Sequence, residues 1–297
     1  MTLSGLFTGA AGRRLVLAVP FLWLVAFFLA PFLIVFGISL SRSRFGVPPY
    51  EPLIRDGALA IRPDNYTFLL GDPLYVNALV NSLQIAATSA AICLLIGYPL
   101  ALGIARAPGR WRPVLLLAII LPFWTSFLIR VYAWIGLLKN EGLINAALQA
   151  LGVIDQPVQM LQTTFAVHLG IVYTYLPFMV LPLYAALERQ DVSLLEAASD
   201  LGARPWRVFL TITLPLSLPG AIAGFLLVLI PAVGEFVIPE LLGDSRTAMI
   251  GKVLWTEFFS NRDWPLASAL AVAVLVSIVA PLAWLEHMRL RRDEARR

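Results

Sequence analysis

Apolar and polar positions do not alternate evenly along this chain; they separate into long apolar runs divided by short polar segments. Six runs reach the roughly 20 residues that a helix needs to cross a bilayer core: Leu15–Leu40, Ala78–Ile104, Val114–Leu138, Thr163–Leu187, Leu214–Ile238 and Pro265–Leu285. Their lengths suit helices and are too great for the strands of a membrane barrel. The first run follows Arg13 and Arg14, but it is too long for the core of a signal peptide, about 7–15 residues, and has no obvious small-residue cleavage site, so it is expected to be a retained span. The longest polar segment, Ser41–Asn77, is rich in proline, glycine and charge. It predicts a structured loop with no room for a soluble catalytic domain. The expected division is an N-terminal segment 1–14, a first transmembrane helix 15–40, a core of five spans 78–285 with a polar insert at 191–215, and a basic tail 286–297.

Composition turns that pattern into a class. Hydrophobic residues make up 59% of the chain and charged residues 13%, and the mean hydropathy is +0.82, which a water-exposed surface does not tolerate. The chain is an all-α integral membrane protein. Basic residues collect on cytoplasmic loops; with both termini inside, the inner segments hold 13 lysines and arginines and the outer ones 8. Arg42 and Arg44, directly after the first span, run against the bias. The net charge of +4 then fits attraction to anionic inner-leaflet lipid and calls for no nucleic acid. The single cysteine, Cys93, cannot form an intrachain disulfide and is expected to be a packing residue.

The polar insert carries a pattern of its own, EAASDLGARPWRVFLTITLP from Glu196 to Pro215. Val192–Leu201 reads as a short helix with Leu194, Ala198 and Leu201 on one apolar stripe and Asp191 or Ser193 as N-cap. Gly202 stands where a left-handed C-cap ends a helix, and Pro205 where a second helix begins. Glu196 and Asp200 are like charges at i, i+4, which costs a few tenths of a kcal/mol in an isolated helix. A basic group outside the helix would offset that, although exposed acids this close also occur without one.

Glu196, Ala197, Ala198, Gly202, Ile212, Leu214 and Pro215 fill every fixed position of E-A-A-x3-G-x9-I-x-L-P, and the chain thereby resembles the permease subunits of binding-protein-dependent, type I ABC importers. The resemblance implies a MetI-like fold of six transmembrane helices in which the insert is a cytoplasmic coupling helix docking on an ATPase. Glu196 would face a basic group of that ATPase, Ala197 and Ala198 would allow close approach, Asp200 would share the docking face, and Gly202 with Leu214 and Pro215 would fix the turn. The implied partners are an ATPase dimer, a second permease subunit, in a heterodimer before a homodimer, and a periplasmic substrate-binding protein. ATP and Mg²⁺ would be bound by the ATPase, and no cofactor by this chain. The implied location is the bacterial inner membrane.

Catalytic chemistry finds little support. No glycine-rich phosphate loop is present, and Lys139 and Lys252 are the only lysines. His168 and His287, the only histidines, lie in different compartments and form no zinc spacing. The chain is expected not to be an enzyme.

Ionisable residues inside spans are costly and mark function. Arg130, His168 and Glu235 are three such, all in the outer halves of their spans by this topology. Arg130 and Glu235 could pair with each other or snorkel to the interface. Alternatively Glu235, within PAVGEFVIP from Pro231 to Pro239, lines a cavity where Pro231, Gly234 and Pro239 interrupt the helix, an arrangement suited to a cationic cargo. Trp124, Tyr132, Trp134, Tyr173 and Tyr175 could offer ring faces to an ammonium group, or belong to the interfacial belt; Trp124 and Tyr173 are the deeper candidates. The runs LIRVYAWIGLLKN, PAVGEFVIPELLGD and MIGKVLWTEFFSNRDWPLASAL are similar to spermidine/putrescine permeases, nearest to the putrescine type. An ABC import permease for another small organic cation or solute, an ion-coupled secondary transporter, a channel and a receptor without transport activity stay open as alternatives.

Overall fold

The computed structural model describes residues 10–55, 58–59, 61–244 and 247–294. The first apolar run forms α1 (Ala10–Leu24), a π-helical turn at Val25–Leu29 and α2 (Ala30–Ser39). The loop after it holds a minimal hairpin, β1 (Ile54–Arg55) with β2 (Ala58–Leu59), and is followed by α3 (Asp64–Gly71) and α4 (Pro73–Arg106). Then come α5 (Arg112–Ile120), α6 (Phe127–Leu138), α7 (Leu143–Ala150) and α8 (Thr164–Glu188). The polar insert forms α9 (Val192–Asp200) and α10 (Pro205–Val208), which runs through a π turn into α11 (Leu214–Val233). Last are α12 (Val237–Leu242), α13 (Ile250–Trp255) and α14 (Trp264–Glu294).

Five helices among the described residues are long and apolar enough to cross a membrane, and a sixth candidate is bent by 89° between Trp124 and Phe127. The sequence had predicted one straight helix over Val114–Leu138. The chain instead passes from α5 into a 3-10 turn, Leu121–Trp124, and then extended backbone at Thr125 and Ser126. The Thr125 hydroxyl donates to the Pro122 carbonyl at 2.8 Å, so a hydroxyl side chain competes with the helix ladder where it is already weak. The fifth run likewise stops at Val233 and resumes as α12.

The chain divides into two compact units, residues 77–253 and, separately, residues 1–76 with 254–297. In the larger unit α11 packs along α8, and both are rich in proline, which membrane helices tolerate because neighbours satisfy the freed backbone groups. Gly220 and Gly224, spaced as in G-x-x-x-G, bring the two backbones together. A Cβ on Gly224 would lie 2.9 Å from the Met179 carbonyl oxygen, and one on Gly220 would lie 2.7 Å from that of Pro182. Around this contact Ala90, Cys93, Met179, Val180, Leu183 and Val228 form the buried core, so Cys93 is a packing residue. In the smaller unit α2 packs on α14, whereas no residue in the most apolar stretch of the first span is buried.

Candidate functional site

The break in the fifth span is built around Glu235. A helix start leaves N–H groups without intrahelical acceptors, and at α12 the Glu235 Oε1 accepts from Phe236 N and Val237 N, each at 3.1 Å, with Ile238 N at 3.5 Å. Its other oxygen, Oε2, accepts the Tyr175 hydroxyl at 2.7 Å. The residue is only 8% exposed, and charge-assisted hydrogen bonds take the place of a countercharge. Because Tyr175 stands midway along the 25-residue α8, the carboxylate lies halfway along a membrane-length helix, deeper than its sequence position had suggested.

Arg130 is not its partner. The guanidinium lies 5.2 Å from the centroid of the Phe123 ring and 5.8 Å from that of Phe127, and its Nε and Nη1 are buried without a hydrogen-bond acceptor. The expected pairing with Glu235 is replaced by a strip of rings: Phe123 meets Phe178 edge-on at 5.3 Å, and Phe178 lies 6.1 Å from Tyr175, which holds Glu235. Arg130 belongs to the break between α5 and α6, and Glu235 to the break between α11 and α12. Both breaks therefore reach α8 near its middle, with opposite charges at the two ends of an aromatic surface.

The other expected residues are placed as follows. Trp124 is 73% exposed at the end of the 3-10 turn, and Tyr132 is exposed on α6. Tyr173 packs edge-on against Trp134 at 5.3 Å; Tyr175, not Tyr173, meets the carboxylate. His168 is locally accounted for, with Nδ1 2.7 Å from the Thr164 carbonyl and Nε2 2.7 Å from the Thr88 hydroxyl. Phe123 and Phe178 were not singled out in the sequence, because a phenylalanine in an apolar run carries no signal until a helix break puts it beside a charge.

The insert folds as its pattern requires. Asp191 caps α9, its Oδ1 accepting Ser193 N–H at 2.9 Å, and that backbone bond, aided by the Ser193 side chain, holds the Asp191 carboxyl below its ordinary value. At the other end Gly202 has φ +75°, Gly202 N–H donates to Ser199 O at 2.9 Å and Ala203 N–H to Ala198 O at 3.1 Å. This is the Schellman pair of bonds. Arg204 then turns the chain, and Pro205 starts α10. No residue of α9 is buried: Glu196, Ala197 and Asp200 are exposed, Ala198 is half-buried, and the apolar stripe is open, Leu201 being 89% exposed. The base of the insert is closed by Gln190, whose Nε2 donates to Thr213 O at 2.9 Å, just ahead of Leu214 and Pro215. Residue order alone does not point to this bond, since a lone glutamine before a loop has no periodic signature.

Comparison with known proteins places this geometry. The family described as binding-protein-dependent transport system inner membrane component matches residues 94–288. The chain belongs to this family. It is 41% identical over 268 residues, 89% of either chain, to the spermidine/putrescine transport system permease protein PotB of Haemophilus influenzae (strain ATCC 51907 / DSM 11121 / KW20 / Rd). It is 42% identical over 274 residues, 91% of this chain and 94% of the relative, to PotB of Escherichia coli (strain K12). The inner membrane ABC transporter permease protein YdcU of Escherichia coli (strain K12) is 31% identical over 231 residues, 74% of each. Among solved structures, a bacterial alginate ABC transporter in complex with an alginate pentasaccharide-bound periplasmic protein superposes with a TM-score of 0.70 at 19% identity, covering 94% of both chains. That likeness establishes the fold. The chain is a MetI-like permease of the ABC importer class, with the membrane location of its family.

Proposed function

We propose that this chain is one of two permease subunits of an ATP-driven polyamine importer, with putrescine as its first cargo and spermidine as the second. The names of the relatives that share 41–42% identity support the substrate class, as does a buried carboxylate held by the Tyr175 hydroxyl midway along α8, beside a strip of rings that reaches Phe178 and Phe123, a setting suited to an organic cation. The observation that carries the coupling half of the reading is α9: a helix fixed at both ends by its own caps, tied at its base by Gln190, and exposing an acidic and apolar surface that nothing among the described residues covers.

That surface is the docking face for a cytoplasmic ATPase, with Glu196 and Asp200 toward basic groups and the Leu194 and Leu201 side chains in an apolar groove. ATP and Mg²⁺ bind to the ATPase dimer and supply the driving energy there. This chain's part is mechanical: α9 moves as a rigid piece, the Schellman turn passes the movement to α10 and α11, and the breaks at Thr125–Ser126 and Gly234–Phe236 let the outer parts of two spans shift against α8. A sister permease, different in sequence, completes the pathway, and a periplasmic binding protein delivers the amine.

The test is an assembled transporter: this chain with ATPase, sister permease and binding protein, assayed for ATP hydrolysis against a panel of diamines and triamines. Stimulation by putrescine, with Glu196→Lys or Gly202→Asp inserting normally but losing stimulation and uptake, is the expected result. Normal uptake by either variant would refute the coupling role.

A further inference from the structure

The bonds that Glu235 accepts from Phe236, Val237 and Ile238 N–H are local. They fix the carboxylate to the start of α12, and the Tyr175 hydroxyl adds one tie to α8, but neither holds the main chain of the break itself. The helix ladder does not hold it either. Residue 239 of a continuous helix would return an N–H to the Glu235 carbonyl, and Pro239 has none. Irregular backbone at membrane depth persists only where protein packs around it, so the place of Glu235 is decided by the surfaces that press on α12 and on the residues before it.

Two glycines form those surfaces. On α8, a Cβ at Gly170 would lie 2.9 Å from Ile238 Cγ2 and 2.8 Å from Leu242 Cδ1, side-chain ends that can yield. On α13, a Cβ at Gly251 would lie 2.8 Å from the Glu235 carbonyl oxygen and 2.8 Å from the Gly234 carbonyl carbon, and nearer still to the Gly234 carbonyl oxygen. Backbone atoms cannot rotate away. Gly251 is not in the left-handed region, so space and not torsion demands glycine there. Its neighbours anchor α13: Ile250 N–H donates to Ser82 Oγ at 2.7 Å, with Ser82 fully buried on α4, and Lys252 Nζ lies 2.7 Å from Glu240 Oε2 on α12. Three consecutive residues thus join α13 to α4, to the Gly234–Glu235 backbone and to α12.

We infer that Gly251 is a positioning residue for the cargo carboxylate: backed by Ser82, it bears on the Gly234–Glu235 backbone and sets where Glu235 stands beside α8. The inference rests on the reading of Glu235 as a contact for the passing ammonium. A methyl group on residue 251 must move α13 off Ser82 or push the break toward α8, leaving the charge intact but displaced. Misplacement by about 1 Å can cost up to about a hundredfold in rate.

The test is a double-mutant cycle in the assembled transporter, with kcat/KM for putrescine uptake and thermal stability measured on the same preparations. Gly251→Ala is expected to lower kcat/KM about tenfold in the wild-type background, and by less than about twofold where Glu235→Gln has already removed the charge. Ser82→Ala crowds nothing and frees the start of α13; it is expected to lose about threefold or more in the first background and to have little effect in the second. Gly224→Ala, at a comparably close contact between α11 and α8, is the reference, expected to lower the melting temperature and to keep kcat/KM within about threefold. Wild-type uptake by Gly251→Ala, losses that multiply with that of Glu235→Gln, or an equal loss in Gly224→Ala overturns the inference, because a purely structural glycine acts independently of the charge. Should Gly251→Ala fail to assemble, Ser82→Ala decides by the same criteria. Multiplying losses overturn the positioning role alone; a Glu235→Gln transporter that matches wild type overturns the cargo reading of the carboxylate with it.

Discussion

Glu235 joins a structural role to an electrostatic one, and two substitutions separate them. Glu235→Gln keeps an oxygen for Phe236 N–H and Val237 N–H, now at 3.1 Å from Oε1, but removes the charge. Hydrogen bonds to charged groups contribute about 1.5–3 kcal/mol and neutral ones about 0.5–1.5 kcal/mol, so the folded state loses roughly 2 kcal/mol. A unit charge roughly 6 Å from a passing ammonium, at an effective dielectric constant of about 20, is worth about 3 kcal/mol, on the order of a hundredfold in rate. Tyr175→Phe does the reverse: it deletes the 2.7 Å bond and leaves the carboxylate charged. Purified, reconstituted variants are compared for thermal stability and for kcat/KM of putrescine uptake. The Gln variant is expected to assemble and lose about tenfold to a hundredfold in kcat/KM. The Phe variant is expected to melt earlier but stay within about threefold of wild-type transport. Wild-type kinetics in Glu235→Gln, or equal transport losses in both, would show that the carboxylate only caps α12.

Further expectations concern the scaffold. Gly224→Val places side-chain atoms against the Met179 backbone, already 2.9 Å from a Cβ; overpacking of this kind costs about 1–3 kcal/mol, and lower thermal stability of the purified chain with unchanged membrane insertion is the expected readout. Asp191, with its carboxyl held low by Ser193, stabilises α9 at all pH values above the ordinary carboxylate range and loses that contribution as pH falls through its lowered value. Hydrogen exchange, corrected for intrinsic rates, should show amides at the start of α9 deprotected in that acid window in wild type and not in Asp191→Asn; identical profiles would remove the cap from the account.

Much of the fold is legible in residue order because a bilayer imposes a single length scale. The fourth run, Thr163–Leu187, became α8, Thr164–Glu188, while the second and sixth became helices that overrun them, α4 starting at Pro73 and α14 running on to Glu294; the insert's caps at Asp191, Gly202 and Pro205 follow from local chemistry alone. The third run misled for a physical reason: Val114–Leu138 is uniformly apolar, and hydropathy does not register a break made by Pro122, Thr125 and Ser126 without loss of apolar character. The same limit hid the site. Glu235 was conspicuous as a charge, but its partner is the Tyr175 hydroxyl and not Arg130, and that choice depends on where two helix breaks fall against α8. Gln190 and Phe178 became meaningful only through tertiary contact, whereas the G-x-x-x-G spacing of Gly220 and Gly224 was present in the sequence as a signal for close helix approach.

The central claim, that this chain turns ATP hydrolysis on one side of the membrane into polyamine movement across it, is tested most directly in proteoliposomes. Labelled putrescine uptake is followed for the assembled transporter with ion gradients collapsed and ATP supplied on the ATPase side, and for the purified chain alone under an imposed gradient. The account predicts accumulation in the first case, abolished by Glu196→Lys, and no flux in the second. Gradient-driven flux through the chain alone, or ATP-independent uptake by the assembly, would contradict it.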